Sequence, residues 1–219
     1  MKYKRSTIAA LVILGLLPLI ITALLYSSLP QQIPTHWDIN NTVTYSDKSE
    51  IWLIAGLSPL MTVLFIVIPL IDPKKKNYAR FSGVYEIFCI VTMLFFLVIY
   101  GVVIVESLSP GIVNVGKFTS LMVGLLFIFL GNVMPKVKHN YSFGVKTPWA
   151  LADPDVFNRS NRLAGFISFV GGIIITVSVF FLSEKAMFVL MMAFVAVFCI
   201  VPTVMSYIWF KNNQTDEDE

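Results

Sequence analysis

Charged residues are scarce in this chain of 219 residues: only 13% are Asp, Glu, Lys or Arg, whereas 57% are hydrophobic. A soluble domain carries about a quarter charged residues, because its surface must interact with water. The composition therefore excludes a disordered or collagen-like chain and argues against a soluble enzyme. We expect the chain to be surrounded mainly by lipid.

Cysteine is also scarce, and the two cysteines are too few for a disulfide scaffold. Cys89 and Cys199 both lie within apolar runs, where a thiol behaves as a small hydrophobic group. They therefore give no information about the redox compartment.

Six apolar runs are long enough to cross a bilayer, which requires roughly 20 residues each. They cover residues 7–27, 51–71, 82–105, 117–134, 163–182 and 186–209. No remaining segment could fold as a separate soluble domain. The predicted fold class is an all-α integral membrane protein with six transmembrane helices. We expect a single domain over residues 1–210 and a short acidic tail over residues 211–219.

The first run has two interpretations, because Lys2, Lys4 and Arg5 precede it as they would in a signal peptide. Its length of about 20 residues and the lack of an Ala-x-Ala site favour an uncleaved span. With six spans and the N-terminus inside, 13 of the 16 basic residues fall in cytoplasmic segments. The positive-inside rule therefore predicts that both termini are cytoplasmic.

Two loops are longer and chemically richer than the rest: an outer loop, residues 28–50, and a cytoplasmic loop, residues 131–162. The outer loop contains Pro34, His36, Trp37 and Asp38. Trp37 suits the membrane interface. The polar neighbours either fix the loop by hydrogen bonds or contact a ligand arriving from outside, and both interpretations stay open.

The cytoplasmic loop has a net positive charge and contains a dense cluster of polar, basic and turn-forming residues. The candidate residues are Asn132, Pro135, Lys136, Asn140, Tyr141, Gly144, Lys146, Thr147, Pro148, Trp149 and Arg162. A surface facing lipid headgroups and a docking site for a cytoplasmic partner both fit this pattern. Thr147-Pro148 and Asp153-Pro154 each predict a helix start, with the first residue as the N-cap.

No arrangement of residues predicts catalysis or metal binding. The topology places His36 outside and His139 inside, so they cannot share a metal ion, and no metal-ligand, nucleophile or phosphate-binding motif is present. We expect no enzymatic activity, no cofactor and no metal. The formal net charge of +3 is too small to suggest nucleic-acid binding.

Within the predicted membrane region, Glu86 is the clearest ionisable residue. A structural role, in the headgroup region or beside Arg80 or Arg162, and a functional role both stay open. Small residues recur every four positions at Ala164, Ser168, Gly172 and Thr176, and Gly124 and Gly131 share a face of the preceding span. This spacing lets helices approach closely, either within one chain or between two copies.

The chain resembles the SdpI-like family of bacterial immunity proteins in two places. One is the outer Ile-Pro-Thr-His-Trp motif at residues 33–37, and the other is the stretch over residues 131–165. The second stretch matches the family pattern at Gly131, Asn132, Met134, Pro135, Lys136, Lys138, Asn140, Tyr141, Gly144, Thr147, Pro148, Trp149, Leu151, Val156, Arg162 and Gly165. It departs at Lys146, where the family has an arginine that could bind an anion in a bidentate manner.

The resemblance implies a multi-pass protein of the bacterial plasma membrane that protects its cell against a secreted toxic protein or peptide. It also implies a second role, as a signalling receptor that holds a cytoplasmic repressor at the membrane. The alternatives are a small membrane transporter or channel, and a sensor without an immunity role.

Overall fold

The computed structural model describes residues 3–217; Lys2, Asp218 and Glu219, which belong to the predicted basic start and acidic tail, lie outside this range. Within this range, six helices are long and apolar enough to cross a membrane, so the chain is a multi-pass membrane protein, as predicted. They are α1 (Arg5–Leu25), α2 (Ile51–Ile71), α3 (Ser82–Leu108), α4 (Val115–Val133), α6 (Pro154–Ser178) and α7 (Glu184–Glu217). A short helix, α5 (Pro148–Ala152), precedes α6.

The predicted caps explain where α5 and α6 begin. The Thr147 hydroxyl accepts a hydrogen bond from the Ala150 N–H, and the Asp153 carboxylate accepts from the N–H groups of Asp155 and Val156. Each cap is followed by a proline at the first helical position, where a missing N–H costs nothing. Helix α6 therefore begins nine residues before the predicted span at 163, because its first turns are polar and lie outside the apolar run.

The outer loop, for which no strands were predicted from the sequence, contains an antiparallel hairpin of β1 (Gln32–Trp37) and β2 (Val43–Asp47). Asp38 builds the turn, because its Oδ1 accepts from the Asn40 N–H at 2.8 Å and the Thr42 N–H at 2.7 Å. Asn41 has a φ of 62°, a conformation that Asn tolerates better than most residues. Ile33 and Pro34 are buried and attach the hairpin to the bundle, where β1 packs against α3.

Helices α4 and α6 form the most extensive helix pair of the bundle. A Cβ added at Gly172 would lie 2.6 Å from the Ile128 amide nitrogen and 2.7 Å from the Gly124 carbonyl oxygen. The small residues predicted on these two helices therefore pack against each other within one chain, which is the intramolecular alternative. At Gly131 an added Cβ would lie 2.6 Å from the Phe169 backbone nitrogen.

Glu86 is buried, but neither Arg80 nor Arg162 is its partner; both arginines are exposed. One carboxyl oxygen accepts a hydrogen bond from the Thr7 hydroxyl at 2.6 Å, and the other lies 3.4 Å from the Lys4 backbone nitrogen. The carboxyl group therefore occupies the N-terminal end of α1, where backbone N–H groups lack helical partners. Glu86 joins α3 to the start of α1.

Proline inside α2 creates a second link, which joins α2 to α3 and to the residues just before α1. Pro69 has no N–H, so the Phe65 carbonyl four residues earlier loses its usual helical donor. The hydroxyl groups of Tyr3 and Tyr85 both donate to this carbonyl oxygen. Membrane helices tolerate proline where neighbouring side chains satisfy the freed carbonyl in this way.

Candidate functional site

The two long loops lie at opposite ends of the bundle. We call the end with the β1–β2 hairpin the hairpin end; it also contains the α3–α4 and α6–α7 connections. The other end, which we call the basic end, contains the α2–α3 connection, the start of α1 and the loop over residues 131–162, for which the name cytoplasmic loop keeps the predicted orientation. His36 and His139 are therefore separated by the length of the bundle.

A groove of about 550 Å³ opens at the hairpin end. Residues 35–39 of the hairpin line one side, and the first turns of α4 and α7 line the other with Lys117, Glu184 and Met187. The groove thus offers an ammonium group, a carboxylate and apolar surface within one concavity. Such a mixture suits a peptide better than a uniformly charged or uniformly apolar ligand.

Three of the predicted outer-loop residues fix the hairpin, and the fourth is exposed in the groove. Pro34 is buried, and Trp37 packs against the apolar cluster around Ile33 and Tyr100. Asp38 holds the turn, and the hydrogen bonds from the Thr42 and Asn40 N–H groups lower the pKa of its carboxyl group. His36 is exposed and lines the groove. Of the four, His36 is the residue best placed to contact a ligand.

Sequence reasoning did not identify Lys117 or Glu184 as groove residues. They lie about 70 positions apart, and only the fold brings the starts of α4 and α7 to the hairpin. Asn114 shows this proximity directly, because its Nδ2 donates to the Glu184 Oε1 at 2.8 Å. The available sequence signal was that each of these charged residues lies at the start of an apolar run, and therefore at the end of a predicted span.

At the basic end, Asn140 organises the cytoplasmic loop from a completely buried position. Its Oδ1 accepts from the backbone N–H groups of Ser142 and Phe143 at 2.9 and 2.6 Å. Its Nδ2 donates to the carbonyl oxygens of Lys138 and Phe143 at 2.8 and 3.0 Å. One side chain therefore satisfies both donors and acceptors of a tight loop, so Asn140 has a structural role.

Asp72, which sequence reasoning missed, ties this loop to the end of α2. Its buried Oδ2 accepts from the Ser142 hydroxyl at 2.7 Å and from the Tyr141 N–H at 3.0 Å. The Tyr78 hydroxyl lies 3.3 Å from both this oxygen and the Asn140 Oδ1. A single acidic residue directly before Pro73-Lys74-Lys75-Lys76 was the signal for it.

Gly144 is required by both its backbone and its surroundings. Its φ is +101°, which residues with a side chain rarely adopt, and an added Cβ would lie 2.3 Å from the Asn161 Oδ1. The buried Asn161 uses that oxygen to accept from the Val145 N–H at 3.1 Å. The loop thus rests directly on α6.

His139 is buried between the loop and the α2–α3 connection. Its Nδ1 lies 2.8 Å from the Lys74 Nζ, and its Nε2 lies 3.0 Å from the Leu151 carbonyl oxygen. Burial, and then the positive charge of Lys74, lower the pKa of the imidazole. The neutral ring therefore donates from Nε2 and accepts from Lys74, and His139 acts as a link between two segments.

The remaining motif residues divide in the same way. Thr147 is buried, and its hydroxyl lies 2.8 Å from the Ser206 hydroxyl. The Trp149 ring contacts the Tyr207 ring. Both partners belong to α7, so the short helix that begins at Pro148 is held against α7. Pro135 packs against Gly165. The exposed members of the motif are Asn132, Pro135, Lys136, Tyr141, Lys146, Pro148 and Arg162.

The charges at the basic end are mostly not neutralised by neighbours. Among the side chains that the structure describes, the one ion pair joins Asp155 and Arg159 at 2.8 Å. The Lys146 ammonium donates to the Ser142 carbonyl oxygen at 3.0 Å and stays exposed. The motif therefore builds a rigid loop that displays cationic side chains.

Comparison with known proteins gives three similarities. A model of the SdpI/YfhL protein family matches residues 136–206, and a model described as a domain of unknown function (DUF1648) matches residues 13–58. The immunity protein SdpI of Bacillus subtilis (strain 168) is 27% identical over 209 residues, which cover 95% of this chain and 97% of that protein. No solved structure matches the chain. The resemblance inferred from the sequence motifs is thereby confirmed.

Proposed function

We propose that this SdpI-like multi-pass bacterial membrane protein is an immunity protein, which protects its cell against a secreted toxic protein or peptide without enzymatic activity. The observation that carries the proposal is the similarity to the Bacillus subtilis immunity protein over 95% of the chain. The two family models match segments at both the hairpin and the basic end, so the similarity includes both candidate surfaces.

The hairpin-end groove is the proposed recognition site. It combines exposed His36 with Lys117, Glu184 and the apolar Met187, and the hairpin that forms one wall is fixed by Asp38 and Ile33. A rigid wall reduces the ordering cost of binding. A toxin that acts on the membrane from outside would reach this end first, if the basic end is cytoplasmic.

Deletion of the gene is expected to sensitise the source bacterium to a toxin in conditioned medium from stationary cultures. A plasmid copy should restore growth, whereas His36→Ala and Trp37→Ala copies should restore it poorly, because one removes the exposed groove residue and the other its support. Ser49→Ala is the matched control, since Ser49 is exposed in the same outer loop but does not line this groove. The outer-site assignment fails if the His36 variant, present at parental levels in the membrane, protects fully.

We further propose that the cytoplasmic loop holds a transcriptional repressor at the membrane when toxin is bound. The exposed Lys136, Lys146 and Arg162, displayed by a loop that Asn140 and Asp72 make rigid, supply a cationic surface for an acidic patch on such a partner.

Cell fractionation tests this second role. A DNA-binding regulator should sediment with membranes of toxin-treated parental cells and not with those of a Lys136→Glu, Lys146→Glu strain. A Lys75→Glu, Lys76→Glu strain is the charge-matched control, because both lysines are exposed at the same end but lie in the α2–α3 connection. Equal sedimentation in all three strains would exclude the motif as the docking surface.

A further inference from the structure

Strand β2 has a partner on one edge only. In the two-stranded sheet it pairs with β1, with Ile33 opposite Ser46 and Pro34 opposite Tyr45. In an antiparallel pair, residues whose N–H and C=O groups face the partner alternate with residues whose groups face away. The hydrogen bonds from the Lys48 N–H to the Gln31 carbonyl and from the Asp38 N–H to the Thr42 carbonyl fix this alternation.

The backbone N–H and C=O groups of the even-numbered residues of β2 therefore face β1. Those of Val43, Tyr45 and Asp47 face the opposite edge. This edge is open to solvent: Tyr45 is 46% exposed, and Thr44 and Asp47 are exposed as well. Within the described chain, the backbone groups of Val43 and Tyr45 form no hydrogen bond outside the sheet. The edge thus presents a row of available donors and acceptors.

The outer edge of β1, in contrast, carries the devices by which proteins block strand addition. Pro34 has no N–H to donate, the register shifts between Pro34 and His36, and β1 packs against α3. Proline, bulges and covering elements are the usual protection of a sheet edge. Residues 43–47 of β2, with the sequence Val-Thr-Tyr-Ser-Asp, contain neither proline nor lysine. One edge of the hairpin is closed and the other is not.

We propose that the free edge of β2 accepts an extended peptide segment as a third strand, and that this segment belongs to the secreted toxin; the second part rests on the proposed function. Main-chain hydrogen bonds supply affinity in this mode, and pockets for alternate side chains supply specificity. A cavity of about 810 Å³ lies between the hairpin and the end of α3, lined by Tyr45 of β2, by Gln32 of β1 and by Leu108. Of the residues of β2, Tyr45 contributes to this cavity, so a side chain beside Tyr45 would be the one to enter it.

The test uses the full-length protein in lipid nanodiscs and a phage-displayed library of random 12-residue peptides. Peptides selected on the parent protein should bind Tyr45→Pro about tenfold more weakly, because proline removes one outward N–H donor. They should bind Tyr45→Thr within about twofold, because threonine keeps the N–H and suits a strand. Circular dichroism and the thermal transition of each variant establish that the hairpin variants are folded.

A second substitution and a modified peptide make the test independent of one site. Val43→Pro, which also removes an outward N–H, should weaken the same peptides. N-methylation of alternate peptide amides should abolish binding, whereas methylation of the intervening amides should not. The proposal is overturned if no peptide discriminates the parent from Tyr45→Pro, or if methylation at either set of positions has the same effect.

These outcomes are separable from those of the proposed function. Strand addition without sensitisation of the deletion strain would support the surface and refute its assignment to a toxin. Sensitisation with equal protection by Tyr45→Pro and Tyr45→Thr would support immunity and refute strand addition as its basis.

Discussion

Replacing Asn140 with alanine is expected to lower the free energy of unfolding by about 3 kcal/mol. The substitution removes four hydrogen bonds to the loop backbone, from the N–H groups of Ser142 and Phe143 and to the carbonyl oxygens of Lys138 and Phe143. Alanine can replace none of them, and a buried polar group without a partner costs roughly 1–3 kcal/mol. Water entering the vacated space would recover part of this loss.

Asn132→Ala is the matched control, because Asn132 is exposed and donates only to the Ile128 carbonyl of its own helix. Its effect should stay within about 0.5 kcal/mol. Unfolding of the purified variants in mixed micelles, monitored by tryptophan fluorescence, measures both values. If the two asparagine variants are equally stable, Asn140 does not organise the loop, and a direct role in partner binding becomes the better explanation of this motif.

Replacing Gly172 with alanine is the second substitution with a large expected effect, about 2–3 kcal/mol of destabilisation. The new methyl group would approach the Ile128 amide nitrogen and the Gly124 carbonyl oxygen to 2.6 and 2.7 Å. Both are backbone atoms of α4, so no side chain can rotate away, and the two helices must separate. Separation loses the close packing that holds helices together in lipid.

Gly101→Ala provides the control, because an added Cβ at Gly101 in α3 meets no atom within 4 Å. Alanine also has the higher helix propensity, so this variant should be at least as stable as the parent. Thermal unfolding in detergent compares the two directly. If the Gly172 variant unfolds at the same temperature as the Gly101 variant, α4 and α6 do not pack as described.

The sequence was sufficient to predict the helices, because the length of an apolar run and the N-caps at Thr147 and Asp153 are local signals. It was not sufficient for the hairpin: Asn40-Asn41 between two alternating segments was a signal, but the setting suggested a loop. Of the alternatives left open for Glu86, pairing with Arg80 or Arg162 is not what the structure shows. Thr7 lies 79 positions away and is neutral, so charge alone pointed to the wrong residues.

The candidate sites show the same limit. Motif density marked the cytoplasmic loop, yet could not separate Asn140 and Gly144, which build it, from Lys136 and Lys146, which it displays. That distinction depends on burial, and burial depends on contacts with Asp72 and Asn161 from other parts of the chain. The open edge of β2 could not be predicted at all before the hairpin was known.

The account depends above all on the hairpin end and the basic end facing opposite sides of the membrane. Single cysteines at Gln32→Cys and Lys146→Cys, both exposed positions, test this in a Cys199→Ala background, with the native Cys89 buried. A membrane-impermeant maleimide added to intact cells should label position 32 and should label position 146 only after the cells are broken open. Labelling of both positions in intact cells, or of position 146 alone, would contradict the account.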